Sequence, residues 1–216
     1  MDSVTGYGTS FQYKSPNYYE SSARMLCRTF TTTVEPTIEP ITLEQLKDRL
    51  RIGSTCEFDV ELALLLTTAR KQVEQDTYRR LINQTVVGRM DGFLSVREIE
   101  MRLAPISSIT SITYVDQNGA TQTLASSVYG TDLLSTPPRI ILKTSENWLD
   151  TEPNTPNSVN ITFVAGYGAT AATVPAQARL AIVEYAKIVW GGCDGSEKNY
   201  QRLISGLQWT GYHKVY

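Results

Sequence analysis

Residues 41–53, ITLEQLKDRLRIG, decide how the rest of the chain is read. Thr42 and Gln45 stand at capping-box spacing: the threonine hydroxyl takes an orphan N–H of the first turn, and the glutamine side chain returns to the threonine N–H. Ile41 and Leu46 bracket that box at the spacing of a hydrophobic staple. Leu43, Leu46 and Leu50 then recur on one face, and Gly53 is a natural stop. The stretch predicts a short helix with a defined start.

Working downstream, Ser54 with Glu57, or else Asp59 itself, opens a longer helix. Its apolar stripe is Leu62, Leu65, Leu66, Ala69 and Val73, while Glu61, Arg70, Lys71, Glu74 and Gln75 take the wet side. So short a link makes residues 42–80 a helical hairpin. From Asn83 the period changes to two. Ile99, Met101 and Leu103 alternate with Glu100 and Arg102, as in a strand with one buried face. The β-branched run Ile109 to Val115 meets Asp116, Gln117, Asn118 and Gly119, and Asn-Gly predicts a type I′ hairpin turn. Arg139 to Leu142 and Val159 to Ala165 add strands. A last helix starts near Pro175 and stops at Gly191 and Gly192. It is apolar on two flanks, so it lies central in its own core or against a neighbouring subunit.

Working upstream, Met1 to Pro40 is rich in Ser, Thr, Tyr and Pro and has no useful period. Fixing a residue's backbone costs roughly 1–2 kcal/mol, which such a segment recovers by lying on other subunits or, in the competing reading, by folding back on its own domain. The expected plan is therefore α+β. A small helical bundle, of two N-terminal helices and one C-terminal helix, carries an inserted antiparallel β region and extended N- and C-terminal arms. Its parts are an arm over 1–40, a helical hairpin over 41–82, the β insertion over 83–173, a core helix over 174–192 and a docking segment over 193–216.

The chain of 216 residues is 41% hydrophobic and 19% charged, with a formal charge of −2. That balance argues against a protein built to grip nucleic acid. No signal peptide and no membrane span are expected, because neither an n-region with an apolar core nor a long apolar run is present. Cys27, Cys56 and Cys193 are odd in number and far apart, which suits free thiols in a reducing cytoplasm. His213 is the one histidine, and near the chain end it is a poor place for a preorganised base. No cysteine or histidine pair has ligand spacing, so no metal or cofactor is expected. Gly166, Tyr167 and Gly168 lack the third glycine and the lysine of a phosphate loop and read as a strand-to-helix turn.

The order of these elements carries a resemblance. Ile41 to Lys47 with Leu50, Arg51 and Ile52; Glu61 to Arg70 leading to Val73 and Glu74; Leu103 to Ile106 with Ile109; Ile112 to Asp116 closed by Asn118 and Gly119; Val164 to Tyr167; and Val174 to Ala176 follow one another as in a known pattern. The chain resembles the phage head–tail connector family, the head-completion adaptors, in the branch with a β region inserted in a helical core. The match runs over about residues 41–190, and its specificity lies in the order of several weak motifs.

The resemblance implies a structural ring, usually dodecameric, beneath the portal of a filled capsid. The ring extends the DNA channel and offers a platform to the tail or to a stopper protein. The implied partners are the portal protein, the tail or stopper protein and copies of the chain itself. Packaged DNA passes without sequence-specific binding, no membrane is involved, and no enzyme activity is implied. The implied place is the virion neck, after assembly in the host cytoplasm. A C-terminal portal hook would use Arg202, Leu207, Trp209, Tyr212, His213 and Tyr216, whose aromatic load suits interface anchors; the alternative for the segment is a helix docked on its own subunit. Tyr7, Phe11, Tyr13, Tyr18 and Tyr19 would meet a neighbouring subunit or the tail. Arg70, Lys71, Arg79 and Arg80 would face the lumen or a neighbour, or else a solvated outer face. Two other classes compete: a tail-accessory β-domain that binds a host or carbohydrate ligand, and a cytoplasmic enzyme using Cys193 or Cys56.

Overall fold

The capping box forms as its residues require. In the computed structural model, which describes residues 25–27, 29–53, 57–93, 96–191 and 195–208, the Gln45 N–H donates to Thr42 Oγ1 at 3.1 Å and the Thr42 N–H donates to Gln45 Oε1 at 3.1 Å. Helix α1 (Leu43–Leu50) ends on Arg51, which takes the left-handed conformation (φ 57°) ahead of Gly53. Helix α2 (Asp59–Thr77) follows. Asp59 is its first helical residue instead of its cap, and its carboxylate meets the buried Lys47 ammonium at 2.5 Å. Ser54, the other expected cap, lies outside the described residues.

Helix α3 (Ala176–Gly191) occupies the expected place, and α4 (Ser196–Ser205) packs against it. Leu46, Leu66, Val73 and Ile182 are all buried in one cluster, with Tyr185 packed on it, as their spacings predict. Each helix contributes the stripe that recurs every three or four residues, so one apolar layer forms within a single chain.

The strands bury a second core. One sheet runs β2 (Thr29–Val34), β3 (Gln84–Met90), β9 (Val159–Ala165), β5 (Ile106–Val115), β6 (Thr121–Thr123), each pair antiparallel. The other runs β1 (Met25–Leu26), β4 (Glu98–Glu100), β8 (Arg139–Leu142), β7 (Tyr129–Asp132), with β1 and β4 parallel. Strict alternation puts Val159, Ile161, Phe163 and Ala165 of β9 inward, against Ile99 and Ile140 of the other sheet in the same cluster.

Three expectations change here. The arm predicted over 1–40 is a folded part of the body from Thr29 onward, because β2 pairs along β3 as an edge strand. Its Thr-rich, half-exposed face gave no apolar alternation to read. Strand β4 stops at Glu100, although Met101 and Leu103 remain buried, and Glu100 is buried where the alternation put it in water. The Asn118-Gly119 hairpin turns as a three-residue loop instead of a type I′ turn. Gly119 alone is left-handed there (φ 79°), and its N–H donates to Asp116 O at 2.9 Å. Within residues 83–173 every pair of strands is antiparallel, as expected; β1, which comes from outside that span, adds one short parallel pairing on β4.

Backbone bonds at one seam join the two cores. The Asn83 N–H donates to Gly168 O, Tyr167 N–H to Leu81 O, Gly166 N–H to Pro105 O, and Arg80 N–H to Ala104 O. Gly166 makes the seam possible: at φ 146° its missing Cβ would stand 2.5 Å from Asn83 N. The Gly-Tyr-Gly run is thus a strand-to-helix turn, leading from β9 through a 3-10 turn (Ala171–Thr173) into α3.

Leu66 tests the helical layer. Leu66→Ala should lower the unfolding free energy by about 2–5 kcal/mol in urea titration. Leu64→Ala, one half-turn away in solvent, should change it by less than about 0.5 kcal/mol.

Candidate assembly surface

Of the four expected lumen residues, Arg70 is drawn inward. Its position in α2 borders the apolar stripe, and three carboxylates meet it there. Arg70 is 2% exposed, with Nε donating to Glu39 Oε2 at 2.9 Å, Nη1 to Glu74 Oε2 at 3.2 Å and Nη2 to Glu35 Oε2 at 3.4 Å. It therefore faces neither lumen nor neighbour. Glu74, also expected in water, is buried; burial raises its carboxyl above the usual range, against the pull of Arg70. Lys71 does reach the surface, donating to Glu35 Oε1 at 2.9 Å.

Arg79 is half-buried and holds the C-terminal region: Nε donates to Leu207 O at 2.6 Å and Nη1 to Tyr167 Oη at 2.9 Å. Arg80 donates from Nη1 to Arg79 O at 3.2 Å, and burial lowers its pKa. Both guanidinium groups are partly buried and spend donors on their own chain.

The predicted portal hook divides. Leu207 is buried together with Tyr200 and Ile204 in the helical core of its own chain, so it is not available to a partner. Tyr200 Oη donates to Asp76 Oδ2 at 2.7 Å, and Gln177 Nε2 donates to Leu203 O at 2.7 Å, stitching α4 to α2 and α3. Arg202 stays exposed on α4. Trp209, Tyr212, His213 and Tyr216 lie outside the described residues, as do Tyr7, Phe11, Tyr13, Tyr18, Tyr19, Cys56 and Cys193. Cys27 is enclosed, with Sγ 3.8 Å from Met101 Sδ, and burial pushes its thiol up to about 12, which leaves no thiolate for chemistry. Among the described residues no group of acids, histidines or cysteines could hold a metal ion, and no helix is long and apolar enough to cross a membrane.

The surface carries apolar side chains, and the periodicity argument, which found a second apolar flank on α3, passed over the pair on α2. Val60 and Leu64 of α2 are 83% and 68% exposed. They sit four residues apart and off the core stripe, which was their signal in the sequence. On α3, Leu180 and Trp190 are 45% and 37% exposed. Two open clefts flank α3, one of about 570 Å³ against α1 and one of about 580 Å³ near its C-terminal end.

No protein-family model matches the chain, and no curated protein matches it. Solved structures do. A chain from the virion of a native gene transfer agent particle superposes with a TM-score of 0.70 at 18% identity, covering 86% of this chain and 98% of that one. A chain from the neck of an empty gene transfer agent particle, computed with C6 symmetry, gives 0.67 at 20% identity with the same coverage. A chain from the neck of the native particle, computed with C12 symmetry, gives 0.66 at 19%. The chain shares the fold of these virion and neck chains almost end to end of theirs.

Two measurements check the assignments. Truncation after Gly195 removes Tyr200, Ile204 and Leu207 from the core, a loss on the order of 5 kcal/mol or more, and should leave a largely unfolded chain by circular dichroism. Truncation after Gln208 should leave the melting temperature nearly unchanged. Glu35 supplies a pH signature. The Lys71 hydrogen bond, with smaller help from Arg70, holds its carboxyl below the ordinary 4.5. Its stabilisation is thus present above pH 4.5 and lost as pH falls through the lower folded value. Glu35→Gln should flatten that part of the acid limb in urea titrations, modestly, since half of the side chain is in solvent.

Proposed function

We propose that the protein is a structural component of the neck of a tailed, phage-like particle: a head–tail connector whose copies form a ring under the portal. The ring extends the DNA channel and gives the tail or a stopper protein its platform. The observation that carries this reading is the likeness to neck chains over 86% of this chain and 98% of theirs, in assemblies with C6 and C12 symmetry. Near-complete coverage of the neck chain matters more than the identity, because the helical layer and the β lobe come together as one unit.

The physical character of the chain is consistent with the role. A channel wall must let DNA slide, and a formal charge of −2 offers no strong grip on phosphates. Buried cations are tied to carboxylates, as at Arg70 and Lys47, so the interior adds little positive field. We assign the portal contact to residues 209–216, which follow α4 and hold Trp209, Tyr212, His213 and Tyr216. The N-terminal aromatics Tyr7, Phe11, Tyr13, Tyr18 and Tyr19 are assigned to a neighbouring copy or the tail.

The test mixes the full chain with portal rings of its particle and images the product for a symmetric collar. The full chain should form the collar, and the chain truncated after Gln208 should fold but fail to join it. Equal joining by the truncated chain would move the portal contact to the N-terminal residues. A full chain that ignores portal rings and binds host-surface glycans would overturn the connector reading in favour of a tail-accessory binding module.

A further inference from the structure

The helical layer has two unlike faces on opposite sides. At about 100° per residue, Val60 and Leu64 stand across α2 from Leu62, Leu66 and Val73, the residues that enter the core with α3. On α3, Leu180 likewise stands across from Ala178 and Ile182, which are buried in that same core. One face of the layer is therefore an apolar ridge on α2. The other is a groove floored by α3, with α1 as one wall and α4 as the other. Trp190 closes the groove at the end of α3, where its ring meets Phe58 edge-on at 6.0 Å.

Charge distinguishes the two faces further. Arg49 on α1, Arg179 on α3 and Arg202 on α4 rim the groove and form no ion pair among the described residues; Asp48 on α1 and Glu184, which is tied to Lys187, also line it, so the rim keeps a net positive charge. Glu57 and Glu61 flank the ridge and form none either. Ridge against ridge would oppose glutamates, and groove against groove would oppose arginines. Ridge into groove joins apolar to apolar and acid to base.

We infer that the α2 ridge of one copy seats in the α3 groove of the next copy. The contact is heterologous, so each added copy presents a fresh ridge and a fresh groove, and repetition closes into a ring when the rotation allows. Val60 and Leu64 lie over Leu180, with Glu57 and Glu61 among the groove arginines. This deepens the ring reading above, from which it takes only that copies meet around an axis.

The first arm of the test uses the chain alone, and a second adds the portal chain. Full-length chain carrying p-benzoylphenylalanine in place of Leu64 is mixed with isotopically heavy wild-type chain, irradiated at high protein concentration and mapped by mass spectrometry. Cross-links should join residue 64 of the light chain to heavy peptides containing Leu180 or Arg202. Leu180→Asp, or Arg49→Glu with Arg202→Glu, in the heavy chain should cut the yield at least tenfold with unchanged circular dichroism. Links from 64 to the heavy α2, no inter-copy links at all, or capture of an added portal chain in preference to the heavy copy would each overturn the inference. Cross-links without a portal collar would sink the connector reading and leave this contact standing. A collar without cross-links would do the reverse.

Discussion

Arg70 and the three carboxylates around it hold the molecule to one arrangement. Glu74 comes from the same helix, while Glu35 and Glu39 come from the segment between β2 and α1. The Glu74 carboxylate also accepts the Leu81 N–H at 2.9 Å and the Gln84 Nε2–H at 3.1 Å, where the chain leaves the helices for β3. A buried charge is tolerated only when its lone pairs and protons are all answered, and removing one member of such a set typically costs about 3–5 kcal/mol. Helix α2, the entry to α1 and the first strand of the sheet therefore have to assemble together.

Around that node the two cores become one body. The seam formed by residues 81–83, 104–105 and 166–168 is backbone to backbone, so it depends little on side-chain identity except at Gly166. Side chains on the helical side then tie the C-terminal region down: Arg79 holds the Leu207 carbonyl, and Tyr200 holds Asp76. Charged, hydrogen-bonded and backbone joints at one seam resist bending better than a sliding apolar contact.

The helical layer uses its surface asymmetrically. Its internal stripes are spent on the core, yet α2 and α3 each keep apolar residues on the outer side, at Val60, Leu64 and Leu180. Two such faces with opposite charge, turned away from each other, are the minimal requirement for a head-to-tail repeat. In the β lobe the exposed large apolar side chains are scattered, with Val34 at the end of β2, Leu134 in the β7–β8 loop and Leu149 between β8 and β9.

Local chemistry was legible in the chain wherever neighbours in sequence were enough. The Thr42–Gln45 cap, the α3 span from Pro175 to the glycines and the inward stripes that carry Leu46, Leu66, Val73 and Ile182 needed only spacing and propensity, because each is set within one turn or along one helix. Contacts across the chain were not legible. Arg70 looked like a wet-face cation until acids 31 and 35 residues away reached it. Strand β2 carried no alternation because an edge strand of threonines buries little, and only its pairing with β3 defines it. The C-terminal apolar load resembled a hook, yet Tyr200, Ile204 and Leu207 fill a hole left by α2 and α3. Whether an apolar stripe ends inside or outside depends on which surfaces are already covered. Packing decides that question, and periodicity cannot.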